Sequence, residues 1–176
     1  MLNLPFASSS TRRAGVELLA NGKLSKTLSY NASGTLLWNR IDPRIAGIST
    51  PRSGTTGTVR ANLTWQPTAR DYFQLNASYS GDQLIAQGYR KSGGVLNLGY
   101  RRKIDERFNL ILSAQNVLDS VRQKIVIDTP LIRDRLTQRG NGQTFLLSLS
   151  YTLGSASGKK RQEPGFDFDG GGNVAQ

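Results

Sequence analysis

The chain has 176 residues, with 23 Lys and Arg against 12 Asp and Glu, so its formal net charge is +11. It contains neither cysteine nor histidine, which excludes thiol nucleophiles, Ser-His-Asp triads, disulfides and the usual structural zinc sites. The length suits one domain. The excess of positive charge predicts a polyanionic partner, either nucleic acid or a phosphate-rich membrane surface.

Purely apolar runs are only a few residues long, far short of the roughly 18 that a membrane-spanning helix needs. A transmembrane β-barrel stays compatible with the sequence. Its strands alternate apolar and polar residues, which keeps the mean hydropathy low, here -0.40. Residues 1–7 lack the basic region and the apolar core of a secretory signal, so an export signal is expected outside this chain.

Apolar residues recur at every second position, which is the period of a β-strand with one apolar and one polar face. From Leu28 to Trp38, alternate positions carry nothing charged, and the positions between them are nearly all small and polar. The pattern predicts seven strands and no helix: 14–20, 24–38, 59–65, 73–79, 95–100, 108–115 and 145–153. A turn at Asn21-Gly22 is predicted between the first two strands.

The connections between the predicted strands alternate strictly between short and long. The short ones are 21–23, 66–70 and 104–106; the long ones, rich in Gly, Pro, Ser and Arg, are about 40–55, 84–93 and 119–140. Outer-membrane barrels have this arrangement, with short turns at the periplasmic rim and long loops outside the cell. The alternation therefore favours a barrel wall over a soluble sandwich.

Aromatic residues near the strand ends form two predicted interfacial girdles on either side of an aliphatic band. The residues near the short turns or the end of the last strand are Trp65, Phe73, Tyr100, Phe108 and Tyr151. Those toward the long loops are Trp38 and Tyr79. Aromatic residues also flank strands in soluble sandwiches, so this feature alone does not separate the two classes.

Six segments carry a pattern that is specific in order and spacing: Arg12 to Leu18, Tyr72 to Gly81, Ala86 to Arg90, Asn97 to Lys103, Leu112 to Ser120 and Thr144 to Gly154. Over about residues 10–154 the chain resembles the C-terminal barrel segment of TonB-dependent outer-membrane receptors, in the outer membrane protein β-barrel family. The resemblance implies a barrel of about 22 strands with an internal plug. Such receptors take up ligands such as iron chelates or oligosaccharides with energy from the TonB complex.

The plug, the TonB-contacting segment and the signal peptide of that family have no counterpart here, and seven strands are too few to close a barrel. An open strand edge in lipid costs several kcal/mol for each unsatisfied N–H or C=O group. The expected fold is all-β, an antiparallel meander of about seven amphipathic strands that is part of a transmembrane barrel. The predicted regions are an N-terminal loop remnant at 1–11, the partial barrel at 12–154 and a disordered periplasmic tail at 155–176.

The last predicted strand resembles the C-terminal β-signal that the barrel-assembly machinery recognises by strand pairing. Its alternate residues are Phe145, Leu147, Leu149, Tyr151 and Leu153. The usual signal ends in Phe at or near the C-terminus, whereas here Leu153 takes that place and 23 residues (154–176) follow. An ordinary amphipathic strand is the alternative interpretation.

Basic residues on the long-loop side are candidate contacts to lipopolysaccharide phosphates, which suit the planar guanidinium group. They are Arg40, Arg44, Arg52, Arg90, Arg133, Arg135 and Arg139. Solvated loop charge is the alternative for each. Asp128 and Asp134 are weak metal or acid–base candidates, because loop carboxylates beside arginines are usually just paired.

The sequence and its resemblance thus predict the C-terminal part of a TonB-dependent receptor in the cell outer membrane. No catalytic, cofactor or metal residue is expected, and no enzymatic activity. As a fragment or truncated product, the chain is not expected to transport by itself. The expected partners are outer-membrane lipid and lipopolysaccharide, the barrel-assembly machinery, the missing N-terminal barrel and plug, and the TonB system through that missing part.

A soluble, basic β-sheet protein that binds single-stranded nucleic acid is the alternative function. Such proteins stack bases on aromatic side chains beside cationic ones, so both kinds of residue share a face. Here the strand pattern puts Arg60 and Arg101 on the face opposite the aromatic residues of the apolar face. Nucleic acid is therefore not an expected partner.

Overall fold

The computed structural model describes residues 10–42, 51–129, 132–153, 166 and 168. Within these ranges the chain forms eleven β-strands: β1 Ser10–Lys23, β2 Leu28–Asp42, β3 Arg52–Trp65, β4 Asp71–Ser80, β5 Gln83–Ile85, β6 Gly88–Arg90, β7 Gly93–Lys103, β8 Phe108–Gln115, β9 Arg122–Asp128, β10 Arg133–Arg139 and β11 Thr144–Tyr151. The described residues include no helix long and apolar enough to cross a membrane. The all-β prediction is confirmed.

Seven strands form one antiparallel sheet in the order β1-β2-β3-β4-β7-β8-β11, here called the wall sheet. They correspond to the seven predicted strands, and each pairs with the next of them along the chain, so the predicted meander is confirmed. Within the described ranges the sheet does not close. β1 and β11 each leave one edge without a partner strand.

The register of the wall sheet gathers the apolar residues on one side, here called the apolar face. Leu28 stands opposite Trp65, and Trp65 stands opposite Phe73. Phe73 in turn faces Tyr100, so one row continues across four strands. The other side is called the polar face. A slip of one residue at any pair would exchange the two faces, and the alternating pattern therefore fixes the register.

Among the residues that the structure describes, no second layer covers the apolar face of the wall sheet. Among the described residues Leu84 is the only buried hydrophobic side chain, at 4% exposure. On the apolar face, by contrast, Val16 is 64% exposed, Leu36 59% and Leu147 66%. A soluble domain packs such a face against another layer, whereas a barrel wall turns it to lipid. An exposed apolar surface of this extent marks a membrane or partner contact.

An asparagine ladder crosses the polar face. Asn31, Asn62, Asn76 and Asn97 stand opposite one another on β2, β3, β4 and β7. The Asn76 side-chain amide donates to Asn62 Oδ1 at 2.9 Å, and that of Asn97 donates to Asn76 Oδ1 at 3.4 Å. Asn97 Oδ1 then accepts the backbone N–H of Asn116 at 2.9 Å. The ladder joins the middle of the wall to the long-loop side.

Replacing Asn76 with Ala removes the central member of this ladder. We expect it to lower the free energy of unfolding by about 1–3 kcal/mol, because it leaves the facing amides without their partner. Urea unfolding in detergent micelles measures the change. Ser78→Ala, on the same face of the same strand, is the matched control and should change stability little; equal losses in both variants would contradict a role for the ladder.

The three short turns of the wall sheet share one hydrogen-bonding device. In each, a side-chain oxygen accepts the backbone N–H groups two and three residues further along, which closes a tight turn. The distances are 3.2 and 3.1 Å for Ser25, 3.1 and 3.0 Å for Thr68, and 2.7 and 2.8 Å for Asp105. Because successive strands of the antiparallel meander alternate in direction, these turns, which join β1 to β2, β3 to β4 and β7 to β8, all lie on one rim, here called the short-turn rim.

The turn predicted at Asn21-Gly22 is wrong. Both residues belong to β1, where Gly22 stands opposite Tyr30, and the turn lies at 24–27. The physical reason is that Ser25 supplies the turn's hydrogen bonds. The Asn-Gly pair therefore continues the strand, with backbone pairing to β2.

The other four strands form a second sheet in the order β10-β9-β6-β5, here called the loop sheet. They lie in the segments predicted as long loops at 84–93 and 119–140, so the prediction of seven strands is incomplete. β5 and β6 have three residues each, and the only apolar residue of β10 is Leu136. These three strands therefore show no readable alternation of apolar and polar residues. Residues 43–50, within the predicted 40–55 loop, lie outside the described ranges, as do residues 1–9 of the predicted N-terminal remnant.

Candidate ligand-binding surface

The loop sheet is attached to the polar face of β3. The Thr56 hydroxyl donates to the backbone carbonyl of Asp82 at 2.8 Å. Leu84 packs directly over Gly54, where an added Cβ would lie 3.4 Å from the Leu84 Cβ. Thr56 and Gly54 alternate with the apolar-face residues of β3, so both belong to the polar face. The loop sheet therefore overhangs the polar face and not the apolar one.

A second attachment joins the segment between β8 and β9 to the wall. The backbone N–H of Val117 donates to the carbonyl of Leu96 at 2.9 Å. The Asn116 side chain donates to the carbonyl of Asn141 at 2.9 Å and accepts the backbone N–H of Ser120 at 3.0 Å. Asn116 is 5% exposed and adopts a φ of 51°, in the left-handed region that asparagine tolerates. This buried amide fixes the direction in which the chain leaves the wall.

A basic pocket of about 640 Å³ lies on the loop sheet. Its cationic residues are Lys91, Arg122, Lys124 and Arg135, and its hydroxyl residues are Ser92, Ser120 and Thr137. The lining contains no Asp or Glu among the described residues. Cross-strand pairing assembles it, because Lys124 stands opposite Thr137 and Val126 opposite Arg135.

Ion pairs occupy some of the basic residues near this pocket and leave others open. Arg133 pairs with Asp128 at 3.3 Å, and Arg139 pairs with Asp119 at 2.5 Å. Between residues that the structure describes, no ion pair involves the pocket cations Arg122, Lys124 and Arg135 (for contrast, Lys91 is paired). Three clustered guanidinium and ammonium groups without a carboxylate create a positive potential that attracts phosphate and carboxylate groups.

Asp82 holds the fourth cation at the edge of the pocket. Its carboxylate binds Lys91 Nζ at 2.7 Å and accepts the backbone N–H of Ser92 at 2.7 Å. Hydrogen bonding to Lys91, and then to Ser92, keeps the pKa of the Asp82 carboxyl below its ordinary value. The carboxylate is charged near neutral pH, and it binds the segment between β6 and β7 through Lys91 and Ser92.

Because the pKa of Asp82 is lower in the folded protein than in the unfolded chain, its contacts stabilise the fold above the ordinary carboxyl pKa of about 4. That contribution disappears as the pH falls through the lowered pKa. We expect Asp82→Asn to be less stable than the wild type at neutral pH and equal to it in strong acid. Thermal unfolding from pH 7 to 2 measures this. A stability gap that persists at the acid end would contradict the assignment.

The seven arginines predicted to contact lipopolysaccharide occupy different environments. Arg52 donates to the backbone carbonyl of Asp128 and so ties β3 to β9. Arg40 stands opposite Ser53 at the long-loop end of the wall, Arg90 opposite Ile125 in the loop sheet, and Arg135 lines the pocket. Arg133 and Arg139 are the paired residues described above, and Arg44 lies outside the described residues. Lipopolysaccharide contact stays a prediction for all seven.

From the sequence, Arg122, Lys124 and Lys91 count only among the basic residues of the long-loop side that would face the outer leaflet, and the pocket that they line is not predicted. The signal that could have found Arg122 and Lys124 is the RQKIVID segment, in which charged and apolar residues mix over seven positions. Asp128 and Asp134, the weak metal or acid–base candidates of the sequence analysis, do not form such a site with each other. Asp128 pairs with Arg133, and Asp134 accepts the backbone N–H of Arg135. The described residues hold no cluster of three or more metal-ligating side chains.

The predicted β-signal residues lie on the edge strand β11 or just after it. On β11, Phe145 is opposite Ala114, Leu147 opposite Leu112, Leu149 opposite Leu110 and Tyr151 opposite Phe108. These four side chains and Leu153 are all exposed. β11 thus presents apolar side chains and one free backbone edge, the features that strand-pairing recognition requires. Recognition by the assembly machinery stays a prediction.

The aromatic residues predicted as girdles fall into two groups along the wall. Near the short-turn rim, the Phe73 ring stacks on Trp65 at 5.1 Å and on Tyr100 at 4.6 Å between centroids. Phe108 stands opposite Tyr151 on the same side. Trp38 and Tyr79 lie nearer the long-loop side, opposite Thr55 and Gly94. The geometry is that of two belts separated by aliphatic rows, and their contact with membrane interfaces stays a prediction.

An open, single-layer antiparallel sheet with one apolar face, tight turns at one rim and long connections at the other is a segment of a β-barrel wall. The family model of the outer membrane protein β-barrel family matches residues 8–151, and the chain belongs to that family. Its place is accordingly the cell outer membrane. No curated protein and no solved structure matches the chain.

Proposed function

We propose that the chain is the C-terminal part of a TonB-dependent outer-membrane receptor that takes up an anionic ligand, such as a carboxylate- or phosphate-bearing iron chelate. Its role is in transport, and no residue of it acts in catalysis. The observation that carries the proposal is the basic pocket on a folded loop sheet that overhangs the polar face. A wall segment with a purely structural role needs no such pocket.

The position of the loop sheet supports a receptor. In outer-membrane barrels the polar face lines the interior, and the long loops lie outside the cell. A sheet fixed to Thr56 and Gly54 on the polar face therefore stands over the outer mouth of the barrel. A ligand bound there is next to the route inward.

The charge of the pocket favours one ligand class. Arg122, Lys124 and Arg135 offer charge-assisted hydrogen bonds to phosphate or carboxylate oxygens, and the hydroxyl groups beside them can donate as well. An uncharged oligosaccharide gains little from three cations. Among the ligands that the family resemblance implies, an anionic chelate therefore fits better than a neutral sugar.

The open edges of the wall sheet define the partners of the proposal. β1 and β11 would leave unpaired backbone groups in lipid, so we expect further strands of the same receptor to pair with both. The TonB system would act through those other parts, and the chain alone would not transport. The remaining expected partners are lipid, lipopolysaccharide phosphates and the barrel-assembly machinery. The soluble nucleic-acid-binding alternative does not fit an outer-membrane protein.

Uptake of radioactive iron as its citrate complex tests the proposal in intact cells. We expect uptake to fall when the gene is deleted and also when TonB is absent, and to return only when both are present. A neutral maltooligosaccharide should enter equally well in all strains. Citrate-iron uptake that is independent of TonB, or unaffected by loss of the gene, would contradict the proposal.

A further inference from the structure

Two phenylalanines of the C-terminal tail, Phe166 and Phe168, are described, and Phe166 lies on the polar face of the wall sheet. Its ring covers Gly99 so closely that a Cβ added there would lie 2.6 Å from Phe166 Cδ1 and 2.7 Å from its Cγ. Gly99 is buried as a result. Only glycine leaves room for the ring, so Gly99 forms a notch in the wall.

The Phe166 ring belongs to a continuous stack of side chains. It stacks on Tyr72 with centroids 6.0 Å apart and on Phe168 with centroids 5.7 Å apart. The Arg101 guanidinium carbon also lies over the Tyr72 ring, 4.7 Å from its centroid. Arg101 is only 7% exposed although it lies on the polar face. Aromatic stacking and a cation over a ring each add attraction beyond simple burial.

The stack sits inside the short-turn rim. Gly99 is four residues from Lys103, the end of β7, which places it about 13 Å from that end at about 3.3 Å per residue. β11 ends at the same rim, with Tyr151 opposite Phe108. Phe166 contacts the polar face near this rim.

We propose that Phe166 and Phe168 are an aromatic latch that holds the C-terminal tail of this chain inside the barrel, against Tyr72, Gly99 and Arg101. In a barrel this position is the periplasmic end of the interior. The latch is separate from the basic pocket and does not depend on which ligand the receptor takes.

Cysteine crosslinking tests the latch directly, because the chain has no cysteine of its own. Asp167→Cys introduces a thiol between the two phenylalanines in the sequence and keeps both rings. Its partner is Ser113→Cys, which stands opposite Gly99 on the polar face. A short bis-maleimide should join this pair, and tryptic peptides analysed by mass spectrometry report the yield. The control pair replaces Ser113→Cys with Ser80→Cys at the far end of the face, and should not be joined.

Two backgrounds show whether the latch itself holds the tail. Gly99→Val should push the ring out and lower the Asp167–Ser113 crosslink about tenfold. Gly93→Val is the matched control, since a Cβ there meets no atom within 4 Å, and the yield should be unchanged. If Gly99→Val fails to insert, Phe166→Ser with Phe168→Ser should give the same loss. Equal yields from both cysteine pairs, crosslinks between two chains, or a yield insensitive to these variants would overturn the proposal.

Discussion

Leu36→Arg should lower the free energy of unfolding from a bilayer by about 2–4 kcal/mol, the cost of an arginine on the lipid face near the membrane midplane. Leu36 is in the middle of β2 on the apolar face, opposite Val16 and Gly57, and is 59% exposed. It lies outside the predicted assembly signal, so stability and assembly are not confused. Unfolding by urea from lipid vesicles, followed by tryptophan fluorescence, measures the loss.

Thr35→Arg is the matched control for this substitution. Thr35 is the preceding residue on the polar face, opposite Glu17, where an arginine finds a carboxylate and water. We expect its stability to stay close to that of the wild type. Similar losses in the two variants would show that β2 does not divide lipid from water.

Lys124→Glu combined with Arg135→Glu should reduce the affinity of the purified protein for tripolyphosphate by about a hundredfold or more. Each hydrogen bond to a charged group contributes about 1.5–3 kcal/mol, and the double substitution also replaces attraction by repulsion. Titration calorimetry in detergent at low salt measures the binding. Wild-type affinity should itself fall with added salt, because screening weakens interactions at an open site.

Arg133→Gln is the control for the pocket. Arg133 lies on β10, two residues from Arg135, but it pairs with Asp128 and does not line the cavity. Tripolyphosphate binding should change less than threefold in this variant, roughly the effect of a weak surface ion pair. Equal losses in Arg133→Gln and in the double variant would assign the effect to general surface charge.

The wall sheet could be predicted from the sequence because its register depends on side-chain alternation. A residue such as Leu63 faces lipid and its neighbour Asn62 faces water, so apolar and polar side chains alternate along the wall strands with a period of two residues. The turn between β1 and β2 was misplaced by only a few residues. Ser25 there competes with the Asn21-Gly22 pair, and both fit a turn by composition.

The loop sheet could not be predicted in the same way. It is held by contacts between residues far apart in the chain, such as Thr56 with Asp82 and Arg52 with Asp128, which local composition does not reveal. The pocket depends on the pairing of β9 with β10, since only that register brings Lys124 beside Thr137 and Arg135. The arginines chosen from the sequence included Arg135. Pairing of loop carboxylates with arginines was expected, but the sequence did not show which arginines stay outside such pairs.

The sequence predicts a flexible tail at 155–176, and the position of Phe166 shows why composition gives no warning of a docked residue. Gly, Ser and charged residues dominate the segment, most of which lies outside the described residues. Phe166 contacts the wall, and Phe168 stacks on Phe166. The Phe166 ring fits against Gly99 because glycine has no side chain there. A notch of that kind becomes visible only when the strands are side by side.

The most direct test of a membrane wall is a spin-label scan along β2 in lipid vesicles. Single cysteines are introduced one at a time at positions 32 to 38, because the chain supplies no competing thiol. We predict a two-residue period. Labels at Ala32, Gly34, Leu36 and Trp38 should be relaxed by oxygen dissolved in the bilayer, and those at Ser33, Thr35 and Leu37 by a water-soluble nickel complex. Equal nickel access at every position, or no alternation, would contradict a wall that separates lipid from water.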